Sequence, residues 1–191
     1  MGRIRKISVC GKGGSGKSII TTLLANGIKE QGYRVLVVDS DESNSGLYRM
    51  LGFSYPPTPL LELAGGKKSV KRAMKSKFSE GREEPEINVL AQKRIRMDEI
   101  PAQYIISSNN ISLVNIGKIL QFLEGCACPM GVLSREFLSR LSLDDKEIAI
   151  VDMEAGVEHF GRGVEEGIDS LLIVTEASFE SLYLAEKIAH L

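Results

Sequence analysis

The sequence has 191 residues, 43% of them hydrophobic and 26% charged, the composition of a globular chain long enough for one substantial core. Lys and Arg number 24 against 25 Asp and Glu, a net charge near −1, so no global charge draws the chain to nucleic acid or to an anionic membrane. The opening residues, MGRIRKISVCGKGG, enter a glycine-rich loop before any apolar stretch of signal length, and no window approaches the ~20 apolar residues of a membrane span.

These features predict a cytoplasmic protein with no stable membrane association and no nucleic-acid partner. The cysteines are Cys10, Cys126 and Cys128, too few for the disulfide framework of a secreted domain, and a reducing compartment disfavours a Cys126–Cys128 bridge.

In chain order, short β-branched runs predict strands at 6–10, 34–39, 87–92, 147–153 and 170–177, each apolar enough to be buried on both faces. Between them, 17–31, 129–142 and 179–191 carry apolar residues at helical spacing. The alternation predicts an α/β fold, a mostly parallel sheet with helices on both faces, in a single domain over 1–191. Residues 53–60, FSYPPTPL, read as an ordered loop. Residues 67–78, KKSVKRAMKSKF, hold six cations and no acid; they suit a solvated helix packed through Val70, Ala73 and Met74, or a docking face for an acidic partner.

Residues 11–18, GKGGSGKS, follow the first strand and precede the first helical pattern. Glycines let successive backbone N–H groups turn toward phosphate oxygens, and the helix adds the positive end of its dipole. Gly11, Lys12, Gly13, Gly14, Ser15, Gly16, Lys17, Ser18 and Ile19 therefore form a phosphate cradle. In this pattern Lys17 reaches the β- and γ-phosphates of ATP or ADP and the Ser18 hydroxyl ligates magnesium.

The second lysine, Lys12, makes KGGSGKS resemble the deviant Walker A loop of the MinD/ParA and nitrogenase-iron-protein class of P-loop NTPases, the SIMIBI/MinD-like type. The resemblance implies that Lys12 reaches a partner's nucleotide across a homodimer. It implies further that DSDESNSG, 39–46, is the first switch, with Asp41 orienting the attacking water and Asp39 near the magnesium shell. IAIVDMEAG, 148–156, then gives Asp152 as the Walker B acid and Gly156 as a backbone donor to the γ-phosphate.

Within that class, VDMEAGVEHFGRG, 151–163, and GCACP, 125–129, resemble the CooC family, accessory ATPases that mature nickel-containing carbon monoxide dehydrogenase. The resemblance runs from Lys6 to about Ala185. It implies an ATP-driven metallochaperone whose client is apo carbon monoxide dehydrogenase. Its strands and loops beyond 170–191 complete the sheet and hold the nucleotide base in the class. Two readings stand open for them: a short member, or a chain whose natural end lies beyond Leu191.

Cysteine chemistry agrees with the resemblance. Pro129 suits a first helical turn, which places Cys128 near a helix N-terminus, where the dipole favours thiolate, the metal-binding form. Two soft sulfurs are half of a four-coordinate nickel or zinc site, and a second copy on a twofold axis would supply the rest. The spacing alone also fits two buried thiols. Cys10 reads as core and His159 as a surface hydrogen bonder. Two rival functions remain, a MinD- or ParA-like positioning ATPase and an iron–sulfur ATP-dependent reductase component.

Overall fold

The computed structural model describes residues 4–41, 46–70, 72, 92–118, 128–153 and 167–190. In chain order the first half gives β1 (Lys6–Gly11), α1 (Lys17–Glu30), β2 (Arg34–Ser40), the short helices α2 (Leu47–Met50) and α3 (Leu60–Leu63), and β3 (Ile95–Arg96). Then come β4 (Ile105–Ser108), β5 (Ile111–Asn115), α4 (Cys128–Arg140), β6 (Leu141–Ser142), β7 (Glu147–Met153), β8 (Ser170–Val174) and α5 (Phe179–Ala189).

Six strands form one sheet in the order β4-β5-β2-β7-β1-β8, and β3 pairs with β6 apart from it. All neighbours in the large sheet run parallel except the edge pair β4–β5. The expected α/β architecture, a mostly parallel sheet with helices, is therefore present. The central strand β2 shows why: Val35, Leu36, Val37 and Val38 are all fully buried, and each such side chain contributes ~1.5–3 kcal/mol relative to exposure. β-branched residues suit this doubly covered strand.

Side chains alternate along each strand, so register-paired residues of parallel neighbours share a face. On one face Val35, Val37, Ile111, Leu113 and Ile150 pack with Ala25, Ile20 and Leu24 of α1. On the other, Leu36, Val38, Val114, Ala149 and Val151 pack with Met130, Leu133, Phe137 and Leu138 of α4.

Two expectations need correction, and one lies almost wholly outside the described residues. The hairpin β4–β5 was not predicted, and β5 is an interior strand beside β2. Its turn is Asn109–Asn110, with φ of 48° and 60°, the left-handed pair that a two-residue hairpin requires and that asparagine tolerates. Secondly, the strand expected at 87–92 falls outside the described residues except for Gln92, which is not in a strand. Thirdly, β8 stops at Val174 and, among the described residues, stands at the edge of the sheet with Leu171 and Leu172 partly exposed.

The helical segments 17–31, 129–142 and 179–191 appear as α1, α4 and α5, with Leu141 and Ser142 given to β6 instead. The proline-rich stretch 53–59 is loop, as expected. Of the basic segment, residues 67–70 and 72 are helical with Val70 fully buried in the core, while Ala73 and Met74 lie outside the described residues.

Candidate functional site

The loop between β1 and α1 is held by its glycines. Gly11 has φ +146°, and a Cβ there would sit 2.1 Å from the Val174 carbonyl oxygen of β8. Only glycine lets β8 pair with the end of β1 at that point. Gly14 and Gly16 hold φ of 82° and 92°. Gly16 caps α1 with no side-chain hydrogen bond, so the first N–H groups of this 14-residue helix are not taken up by a side-chain cap. Ser15 Oγ is buried and has no hydrogen-bond partner among the described residues. An orphaned hydroxyl beside an uncapped helix N-terminus suits a phosphate oxygen. Lys17 is buried, and its amine donates to the Lys12 carbonyl over 3.4 Å. Ile19 points outward and is exposed.

The α1 face of the sheet ends in a polar row. Asp152 of β7, Asp39 of β2 and Asn115 of β5 are register partners in sequence across the three strands, one step beyond the apolar residues Ile150, Val37 and Leu113. Acids at the carboxyl ends of parallel strands face the crevice where such sheets bind ligand. Asp152 is fully buried and accepts a 2.7 Å hydrogen bond from Ser18 Oγ and a 3.4 Å bond from Thr21 Oγ1. Burial raises its pKa, and the Ser18 bond opposes that. A serine hydroxyl and a carboxylate are hard oxygen donors, so the pair suits magnesium.

Sequence reasoning missed Lys118. Its amine donates to Asp39 Oδ1 at 2.6 Å and to the Asp41 backbone carbonyl. The side chains of Lys118 and Asp39 are 8% and 5% exposed, so this is a buried ion pair in which neither charge can lose its partner cheaply. Burial pushes the Asp39 carboxyl up to about 6, with Lys118 pulling it down and Asp152 and Asp41 adding to the rise. Asp41, also buried, is thus tied through its backbone to the third residue after β5. The signal for Lys118 was its place just past a strand, in ISLVNIGK, which is visible only once β5 is recognised.

Lys12 stands at the mouth of the loop and pairs within its own chain with Glu176 at 3.2 Å and Glu180 at 3.9 Å. Lys12 in turn holds the Glu176 carboxyl below its usual range. Gly13 sits in open space. Cys10 is buried core as expected, and burial pushes its thiol up to about 11. Cys128 opens α4, with Pro129 in the first turn, as the proline predicted. Cys126, Gly156 and His159 lie outside the described residues. Among those that are described, no cluster of three or more His, Cys, Asp or Glu is placed to hold a metal ion.

Comparison with known proteins decides the family. Residues 7–181 match the family model of the CobQ/CobB/MinD/ParA nucleotide binding domain. The chain belongs to the CobQ/CobB/MinD/ParA family. It is 49% identical over 183 residues to an uncharacterized ATP-binding protein of Methanocaldococcus jannaschii, covering 96% of this chain and 71% of the relative. It is 35% identical over 183 residues to the carbon monoxide dehydrogenase accessory protein CooC of Rhodospirillum rubrum, covering 96% and 67%. The fold of this family member is also that of the cell division ATPase MinD of Pyrococcus furiosus, with a TM-score of 0.60 at 19% identity over 97% of this chain and 65% of that one. The CobQ/CobB/MinD/ParA domain described here thus spans about two thirds of the length of such relatives. None of its described helices is long and apolar enough to cross a membrane.

Proposed function

We propose that the chain hydrolyses ATP to ADP and phosphate as a homodimer, and that this cycle delivers nickel or zinc, held by Cys126 and Cys128 of two chains, to apo carbon monoxide dehydrogenase. The ATPase half is carried by one observation: Ser18 and Asp152 meet at 2.7 Å beside the buried Lys17 at the head of α1. Lys17 offsets charge on the β- and γ-phosphate oxygens, and the loop N–H groups and Ser15 hydroxyl orient them. Magnesium, when bound by Ser18 and Asp152, neutralises further phosphate charge. Asp41 orients the water whose oxygen bonds to the γ-phosphorus as the bond to the ADP oxygen breaks; the water's proton leaves with phosphate. Lys12 serves the partner's nucleotide after exchanging Glu176 and Glu180 for it, and the Gly156 N–H meets the γ-phosphate.

The cargo half is supported by the Cys-x-Cys spacing ending at the first residue of α4 and by the identity with CooC. Thiolates suit nickel and zinc better than magnesium. Linkage requires that metal tighten the dimer as much as the dimer tightens metal. The test is a nickel and zinc titration with and without ATP, followed by metal analysis and mass. Half an equivalent of metal per chain, tightened by ATP and lost in Cys126→Ser and Cys128→Ser, is the expected result; full-strength binding by a monomeric double variant would sink the cargo reading. Phosphate release from ATP tests the ATPase half separately.

A further inference from the structure

Beyond the polar row, away from the P-loop, lies a cavity of about 370 Å³. It opens at the carboxyl ends of β2 and β5, under the loop 53–59. Pro56, Pro57, Pro59, Tyr48 and Leu113 form apolar walls. Proline walls are stiff and lack N–H groups, so they neither collapse readily nor supply hydrogen-bond donors. The volume lies at the small end of the ~300–1,000 Å³ typical of ligand pockets.

The second observation is Asn115. It lines the cavity, is 5% exposed, and its Oδ1 has no hydrogen-bond partner among the described residues. A buried amide oxygen left unpaired is costly, and native chains keep such a group chiefly where something outside the fold satisfies it. The other polar groups of the lining are Asp39 and Lys118, which are already joined to each other, Glu62 on the rim, and the Tyr48 hydroxyl, which accepts from Arg49 Nε. Asn115, Asp39 and Glu62 each supply acceptor oxygens.

We propose that this cavity is a binding site for a small molecule with a ring-sized apolar body and an N–H donor head, the donor meeting Asn115 Oδ1. A neutral amide or an amine fits; a carboxylate or phosphate head would face Asn115 Oδ1, Asp39 and Glu62 with like or unpaired charge. Because Asp39 and Lys118 form part of the lining, the occupant touches the pair that ties the first switch to β5. Occupancy therefore alters ATP hydrolysis; this last link rests on the ATPase reading, whereas the binding itself does not.

The test uses benzamide as probe and N,N-dimethylbenzamide as its donorless counterpart, titrated into the 191-residue chain without nucleotide, with the methyl resonances of Leu61 and Leu113, both of which line the cavity, observed by NMR. Benzamide is expected to give saturable shifts at both residues and the dimethyl compound binding about tenfold weaker, the worth of one buried hydrogen bond. Asn115→Leu is expected to erase that difference and to melt at the same or a higher temperature, since it removes an unpaired buried acceptor. Absence of saturable shifts with benzamide, equal binding of the two compounds to the unmodified chain, or a lower melting temperature for Asn115→Leu each overturns the proposal. Probe binding without any change in phosphate release leaves the site standing and refutes only its coupling to hydrolysis.

Discussion

The two faces of the sheet begin alike and end differently. On both, strands β2, β5 and β7 present branched aliphatic residues to a helix, α1 on one side and α4 on the other. At the carboxyl edge, the α1 face turns charged, with Asp152, Asp39 and Asn115 in a row and Lys17 and Lys118 among them. The α4 face ends instead in neutral groups. Ser40 and Ser134 share a buried 2.9 Å hydrogen bond, and Ser8 donates to the Met153 sulfur at 2.6 Å. At this edge one face carries desolvated charge and the other neutral groups, and the proposed chemistry falls on the first.

Substitutions that divide along this line test the contrast. The largest effect is expected from Lys17→Ala, a loss of about 10²–10³-fold in phosphate release with little change in melting temperature, because a donor aimed at developing charge is removed. On the opposite face Phe137→Ala should cost about 3–5 kcal/mol in urea unfolding, the price of a cavity in a fully packed site, while nucleotide affinity of the folded fraction stays unchanged. A Phe137→Ala chain that folds normally but no longer binds nucleotide would show the two faces to be one functional unit.

Lys118→Met sharpens the contrast through pH. Asp39 titrates near 6 when folded, above the ordinary carboxylate range. Between about pH 4 and 6 the folded chain therefore holds a proton that the unfolded chain has released, so this group makes stability rise as pH falls through that window. Without Lys118 the carboxyl rises further. The variant should lose about 3 kcal/mol at pH 8, where a buried carboxylate stands unpaired, and distinctly less at pH 5, where Asp39 is neutral. A loss equal at both values, measured by urea unfolding, contradicts the assignment. Smallest is Ser134→Ala, expected to cost ~1 kcal/mol, since Ser40 loses a neutral partner.

Much of this was legible in the sequence because it is local. The P-loop needs glycines with a lysine and a serine at fixed offsets, and β1, β2 and β7 are long aliphatic runs whose period and length leave little choice. Asp39 and Asp152 could be placed because both end such runs. β5 escaped notice because Ile111–Asn115 is short and has two polar residues among five. The Asn109–Asn110 turn was its clearest signal. With β5 unseen, Asn115 and Lys118 had no strand end to belong to, and their meeting with Asp39 is a contact across more than 75 residues. Lys12 shows the reverse case. Its position in the loop was plain, whereas its pairing with Glu176 and Glu180 depends on where α5 starts, which no local pattern sets.

The Ser40–Ser134 hydrogen bond fastens α4 to the carboxyl end of β2. Ser40 is flanked by Asp39 and Asp41, and Ser134 lies six residues into the helix from Cys128, an arm of about 9 Å at 1.5 Å per residue. A tilt of about 10° about that bond swings the head of the helix by roughly 1.6 Å. Metal–ligand distances hold within about 0.2 Å. On the proposed cargo reading, such a swing would be several times what a metal held at the head of the helix tolerates, so a serine pair of modest energy, with Leu133 and Phe137 packed beside it, would hold that geometry still.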